Sequence, residues 1–185
     1  KVYGTIDKPQ FLWAAGWYLY TLYHLFGINY NEWNIEFNPY LLPNQKECVL
    51  NLNVSGHLTK VRIMKDKVYR NKINDKEIYS FVLPQKLSNV REITFSTGAI
   101  QNSYLKTTNS ILDDINVSSN KMKIFLKAFK GHKNKTTIIT NRIPKEILLS
   151  PNRKVDYIIR KINDRWIIDI NFVHQNKIEE LTIKL

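Results

Sequence analysis

The sequence predicts a mainly β fold: an antiparallel β-sandwich region preceded by one long apolar helix. Three observations predict it. The apolar period changes from 3.6 residues to 2 at about residue 46. From there short strands alternate with Asn, Asp and Gly turns. No second long helical pattern interrupts them, which speaks against a parallel sheet built from βαβ units. The expected units are 1–45, a helix with an extended connector, and 46–185, the β region. Two related β-units, 46–98 and 110–185, are possible within the latter.

The two parts also differ in composition. Residues 1–45 carry two lysines against three carboxylates, net −1, so 46–185 carries +13 of the chain's +12. Aromatics run the other way, with 12 of the 22 in residues 1–45. A boundary is expected near Pro43-Asn44-Gln45. The 185-residue length suits one domain or two small ones. The single cysteine, Cys48, excludes an internal disulfide framework and a multi-Cys zinc site. Its place on an apolar strand face makes it a buried structural thiol. The four histidines, at 24, 57, 132 and 174, show no metal-ligand spacing, and no metal or cofactor is expected. No signal-peptide layout is visible, so a cytoplasmic location is expected.

The first element is FLWAAGWYLYTLYHLFGI, residues 11–28, with no Asp, Glu, Lys or Arg. Asp7 is an N-cap candidate and Pro9 fits the first turn. Gly27 can close the helix in the left-handed conformation, with Asn29 as a second candidate. At helical spacing Trp13, Trp17, Tyr20 and His24 share one face. Leu12, Gly16, Leu19 and Tyr23 share another. A helix apolar on most sides must be covered on most sides. A membrane span needs about 20 apolar residues. The tyrosine and His24 tips would sit near mid-span, so a membrane role is not expected. The favoured reading is a helix from a larger helical assembly, with Ala14, Ala15 and Gly16 allowing close approach of a neighbour.

The β region follows. Cys48, Leu50, Leu52 and Val54 alternate before the turn at Ser55-Gly56-His57. Met122, Ile124, Leu126 and Ala128 alternate before Gly131-His132-Lys133. A weak internal repeat joins KVYRNKINDKEIYSFV at 67–82 with KVDYIIRKINDRWIIDINFV at 154–173, each containing a Lys-Ile-Asn-Asp turn. Strands KVRIM (60–64) and REITF (91–95) correspond to KEILL (145–149) and EELTIKL (179–185).

Chemical signatures are few. There is no nucleophile elbow and no Gly-rich phosphate loop. Asp113-Asp114 reads as a solvated loop pair. Lysines alternate along strands and fill turns, which speaks against a nucleic-acid face. A stand-alone binding module for glycan or nucleic acid remains the alternative class. The loop before the helix, residues 4–10, offers unpaired N–H groups and a positive dipole end. Thr5, Lys8 and Gln10 could there hold an anion such as phosphate, or simply cap the helix.

Residues 8–43 resemble the end of the catalytic barrel in glycan phosphorylases of the cellobiose-phosphorylase kind. The text that carries this is Ala14-Ala15-Gly16-Trp17, the exit Leu25 to Ile28, and the passage Ile35, Phe37, Asn38, Pro39, Tyr40, Leu42, Pro43. The related β-glucan phosphorylases and cyclic β-1,2-glucan synthases end similarly, with a β-sandwich closing the chain. The resemblance implies that the helix is the last of an (α/α) barrel whose catalytic part lies upstream. It implies inorganic phosphate and a β-glucan as partners of the parent enzyme, with an Asp general acid outside this chain. The chain alone would be non-catalytic, closing the barrel and taking part in a possible homodimer contact. In the family a Thr-Gly pair at the start of this helix holds phosphate, whereas here Trp13 and Ala14 stand there. Either the Thr5–Gln10 loop substitutes, with Trp13 or Trp17 walling the sugar, or the parent is a hydrolase on a similar barrel.

Overall fold

The computed structural model describes residues 7–185 except 32, 55, 88 and 152, with the side chains of 7–12 and 54 outside the description. Helix α1 (Asp7–Leu25) leads into a hairpin of β1 (Ile28–Asn31) and β2 (Asn34–Phe37). Then come β3 (Glu47–Val54), β4 (His57–Val68), β5 (Arg70–Ile73), β6 (Lys76–Glu77) and β7 (Glu92–Ala99). The second half contains β8 (Tyr104–Thr108), β9 (Ile111–Ser118), β10 (Lys121–Lys127), β11 (Lys133–Thr140) and β12 (Glu146–Leu149). It ends with β13 (Arg153–Lys154), β14 (Asp156–Ile162), β15 (Arg165–Val173) and β16 (Ile178–Lys184). The mainly β fold with one N-terminal helix is therefore as the sequence predicts. Among the described residues no helix is long and apolar enough to cross a membrane.

The strands form a β1-β2 ribbon and three larger sheets, ordered β3-β4-β7-β5-β6, β14-β15-β11-β8 and β13-β12-β16-β10-β9. The last two are antiparallel throughout and pack as a sandwich. Period-2 patterning makes their inner faces. Met122, Ile124 and Leu126 of β10 and Leu181 and Ile183 of β16 are fully buried, as are Ile138, Ile168 and Ile170 of the other sheet, and all belong to one core cluster. One buried cluster runs from Ile28 and Phe37 through Phe95 to Leu185, so the ribbon and all three sheets share a core.

One pairing departs from the antiparallel expectation: β4 and β7 run parallel. No helix makes the crossover. At Tyr69 the chain passes around the end of β7 and returns on its other side as β5, antiparallel to β7. The passage is tight. A Cβ on Gly98 would lie 2.6 Å from backbone atoms of Lys67 and Val68, so only glycine fits beneath the crossing. Apolar alternation encodes which face is buried but not strand direction, so this crossover leaves no mark in the pattern.

Both Lys-Ile-Asn-Asp segments are two-residue hairpin turns, joining β5 to β6 and β14 to β15. In the first, Asn74 and Asp75 have φ of 47° and 66°, the geometry that suits a twisted hairpin. In the second, Asn163 has φ 53°. The likeness covers the turns, and the strands around them pair differently. KVRIM and REITF lie in the parallel β4–β7 pair, while KEILL and EELTIKL lie in the antiparallel β12–β16 pair.

Candidate functional site

The helix stripe read from the sequence is intact and uncovered. Trp13 is 71% exposed, Trp17 53% and Tyr20 55%. Trp13 and Trp17 meet edge to face with centroids 5.6 Å apart, and Trp17 meets Tyr20 at 5.7 Å. His24 follows, its Nδ1 2.9 Å from the Tyr20 carbonyl oxygen. Tyr18, Leu19 and Leu25 are exposed as well, and open space faces Gly16. From Trp13 onward, only the last turn is anchored. Tyr23 and Phe26 pack on the core, and Tyr23 meets Tyr30 at 5.5 Å. Thr5 and the side chains of Lys8 and Gln10 lie outside the described residues, so the anion loop stays an expectation.

The joint that carries the helix is built around Gly27. Its φ is 68°, and a Cβ there would fall 1.7 Å from the Asn38 carbonyl oxygen. The Asn38 N–H donates to the Gly27 carbonyl at 2.6 Å. The hairpin tip is clamped by Asn34. This buried amide donates to the carbonyls of Thr108 and Ser110, and its oxygen accepts from the Leu112 N–H. Three such bonds contribute roughly 0.5–1.5 kcal/mol each. They fix Trp33, 55% exposed, beside Phe129, 68% exposed, in a cleft of about 530 Å³.

A second cavity, of about 520 Å³, lies where the hairpin, the β4–β5 crossover and β8 meet. Asn29 and Glu36, directly paired across the ribbon, line it with Asn38, Tyr69, Phe81 and Lys106. The segment 79–83 holds these parts together. Phe37 donates to the Phe81 carbonyl at 2.7 Å, Leu83 to that of Ile35 at 2.9 Å, and Phe81 to that of Leu105 at 2.9 Å. Burial raises the Glu36 carboxyl above its ordinary range, against hydrogen bonds from Asn31 and the Thr108 backbone. The Tyr69 phenol is also raised, chiefly by burial. Tyr69 is 4% exposed, and its hydroxyl is buried with no hydrogen-bond partner among the described residues.

Two groups read from the sequence stand differently in the fold. Asp113 is no solvated loop residue: it sits in β9, 1% exposed. Opposite Phe125 and Leu126 the register slips, so Asp113 is the extra residue of a bulge and turns inward beside buried Leu112. Its carboxylate takes ion pairs from Lys127 at 2.5 Å and Lys86 at 3.0 Å. Burial alone would raise its pKa, but the hydrogen bonds and charge of the two lysines outweigh it and hold the carboxyl below its usual range. Cys48 is half-buried instead of fully buried.

The fold also brings Ser110 Oγ within 2.9 Å of His174 Nε2. This is not a nucleophile pair. Ser110 is 1% exposed and donates to the Asn134 amide oxygen at 2.7 Å, within a buried network that includes Thr108 and Thr136. Burial lowers the His174 pKa, so the ring is neutral at neutral pH. The network satisfies the polar edge of the sandwich core. Among the described residues no group of three or more His, Cys, Asp or Glu could hold a metal ion.

Sequence reasoning missed Glu36, Tyr69 and Lys106 as a set. Glu36 standing between Ile35 and Phe37 was the one local signal. Compared with protein-family models, curated proteins and solved structures, the chain matches none.

Proposed function

We propose that this chain is the closing part of a carbohydrate-active enzyme of the β-glucan phosphorylase kind. In this reading α1 is the last helix of an (α/α) barrel and the β region buttresses it. The chain is not catalytic alone. The observation that carries the reading is the uncovered aromatic stripe of α1. A β body with its own buried core, and with only dispersed exposed apolar residues such as Leu58, Phe129 and Ile158, carries a helix that exposes Trp13, Trp17, Tyr18, Leu19 and Tyr20 together. Exposed apolar surface of this extent marks an interaction face, and neighbouring barrel helices would cover several sides at once. The resemblance of residues 8–43 supplies the family. The Thr5–Gln10 loop would then face the barrel centre, with its N–H groups and Lys8 holding phosphate.

The test is glucose 1-phosphate release from β-glucan oligosaccharides and phosphate. The parent polypeptide, with several hundred residues upstream of Lys1, is expected to release it, and the isolated chain is not. Lys8→Ala in the parent should weaken phosphate use about tenfold or more, since a charge-assisted bond is worth roughly 1.5–3 kcal/mol. Release by the isolated chain that is lost on mutating one of its own carboxylates would overturn the reading. A start codon just before Lys1 would count heavily against it as well.

A further inference from the structure

We propose that the cleft between the tip of the β1–β2 hairpin and the β10–β11 turn binds a small amphipathic anion, an aryl or alkyl group carrying one carboxylate. The inference stands apart from the parent-enzyme reading. The cleft's volume, about 530 Å³, falls in the usual range of small-molecule pockets, about 300–1,000 Å³. Its apolar walls are the rings of Trp33 and Phe129, both more than half exposed, together with Ile111 and Ala128.

The polar groups of the lining select the ligand. The charged ones are the ammoniums of Lys127, Lys130 and Lys177, and no carboxylate lines the cleft among the described residues. Lys127 is held by Asp113, but Lys130 and Lys177 form no ion pair among the described residues. An ammonium donates and never accepts, so these two favour an anion over a neutral or cationic group. The neutral polar groups are already engaged within the protein. The Asn109 amide donates to the Lys133 carbonyl at 3.0 Å, and its oxygen accepts from the Lys135 N–H at 2.7 Å. Ser110 Oγ belongs to the buried network with Asn134 and His174, and His132 Nε2 is closed to solvent. Little is left for the hydroxyls of a sugar or the edges of a nucleobase. An apolar body with one anionic group matches what remains.

Both walls are fixed before a ligand arrives, which lowers the ordering cost of binding. Asn34 clamps the hairpin tip next to Trp33 through its bonds to Thr108, Ser110 and Leu112. On the other side the Ala128 N–H donates to the Lys177 carbonyl at 3.1 Å, which holds the Lys177 backbone at the cleft. The Gly131 N–H donates to the His174 carbonyl at 2.8 Å, and the His132 N–H to that of Phe129 at 3.1 Å. The Phe129 ring meets the His132 ring edge to face, with centroids 5.3 Å apart. Two aromatic side chains are thus held open to water, and an apolar ligand body would remove that surface from it.

Titration of the full chain with naphthoate and decanoate, followed by residue-resolved NMR, tests this. Naphthylmethanol supplies the same rings without the charge, and acetate the charge without the body. Saturable millimolar or tighter binding of a carboxylate is expected, with shifts centred on Trp33, residues 128–132 and Lys177. The alcohol and acetate should each bind more weakly. Lys130→Gln combined with Lys177→Gln should weaken the carboxylates about threefold or more, the value of exposed ion pairs, and leave the alcohol unchanged. Phe129→Ala should weaken naphthoate and the alcohol alike, about fivefold or more, by removing apolar contact. The exposed ring contributes little to folding, so this variant keeps the fold. No saturable binding of either carboxylate, equal affinity for the alcohol, or carboxylate binding indifferent to the lysine variant would each overturn the proposal. So would shifts centred on the α1 stripe, or tighter binding of a short oligothymidylate at the same residues.

Discussion

Asp113→Asn should destabilise the protein by about 2–3 kcal/mol, the loss of two charge-assisted hydrogen bonds at a buried carboxylate, discounted for the exposure of the lysines that made them. The two lysines are not equal in this. Lys127 is 31% exposed and Lys86 59%, so Lys86 is largely rehydrated and Lys127 carries most of the loss. In a protein of this size, that loss lowers the melting temperature by roughly 7 °C. The pH dependence follows from the depressed carboxyl. Its stabilisation is fully present above the unfolded-state value of about 3.9. It disappears as pH falls through the lower folded-state value. Chemical denaturation from pH 7 to pH 2 should therefore show a steep acid loss in the wild type and a shallower one in Asp113→Asn. Equal slopes would mean that the bulge does not bury a charged Asp113.

Gly27→Ala should be comparably damaging. A left-handed backbone costs an Ala about 1–2 kcal/mol, and the added methyl falls on the Asn38 carbonyl. Relief requires parting Gly27 from Asn38, which breaks the joint between α1 and the hairpin. The expected cost is about 3 kcal/mol or more, at the high end for single substitutions. Calorimetry would read it, with Gly56→Ala as the control. Gly56 also has positive φ, 84°, but open space around its Cβ, so its penalty should be the backbone part alone. Equal losses at the two sites would show that the contact with Asn38 contributes nothing.

What the sequence made legible was local. The apolar run with Gly27 after it marks the helix and its left-handed exit. The two Asn-Asp turns mark hairpins because φ above zero suits those residues. The alternation of Met122, Ile124 and Leu126 marks the inner face of β10. What was hidden depends on register and direction. Two adjacent acids look like a turn until the bulge opposite Phe125 sends Asp113 inward. The parallel β4–β7 pair depends on a crossing at Gly98, and nothing distinguishes that glycine in the text of the chain. The junction cavity draws on residues 29–38, 69, 81 and 106, which meet only once the ribbon docks on the 79–83 segment. The candidate residues on the helix were visible because 3.6-residue spacing puts Trp13, Trp17 and Tyr20 together without any tertiary help.

On this reading the β body folds by itself and α1 is made to be covered by something else. The decisive measurement is thermal unfolding of a chain beginning at Leu22, which keeps Tyr23 and Phe26 on the core. One cooperative transition within about 2 °C of the 1–185 chain is the expected result. That shift corresponds to less than about 1 kcal/mol in a protein of this length. Loss of the cooperative transition, or a fall of 10 °C or more, would contradict the claim, because the helix would then be part of the β body's own fold.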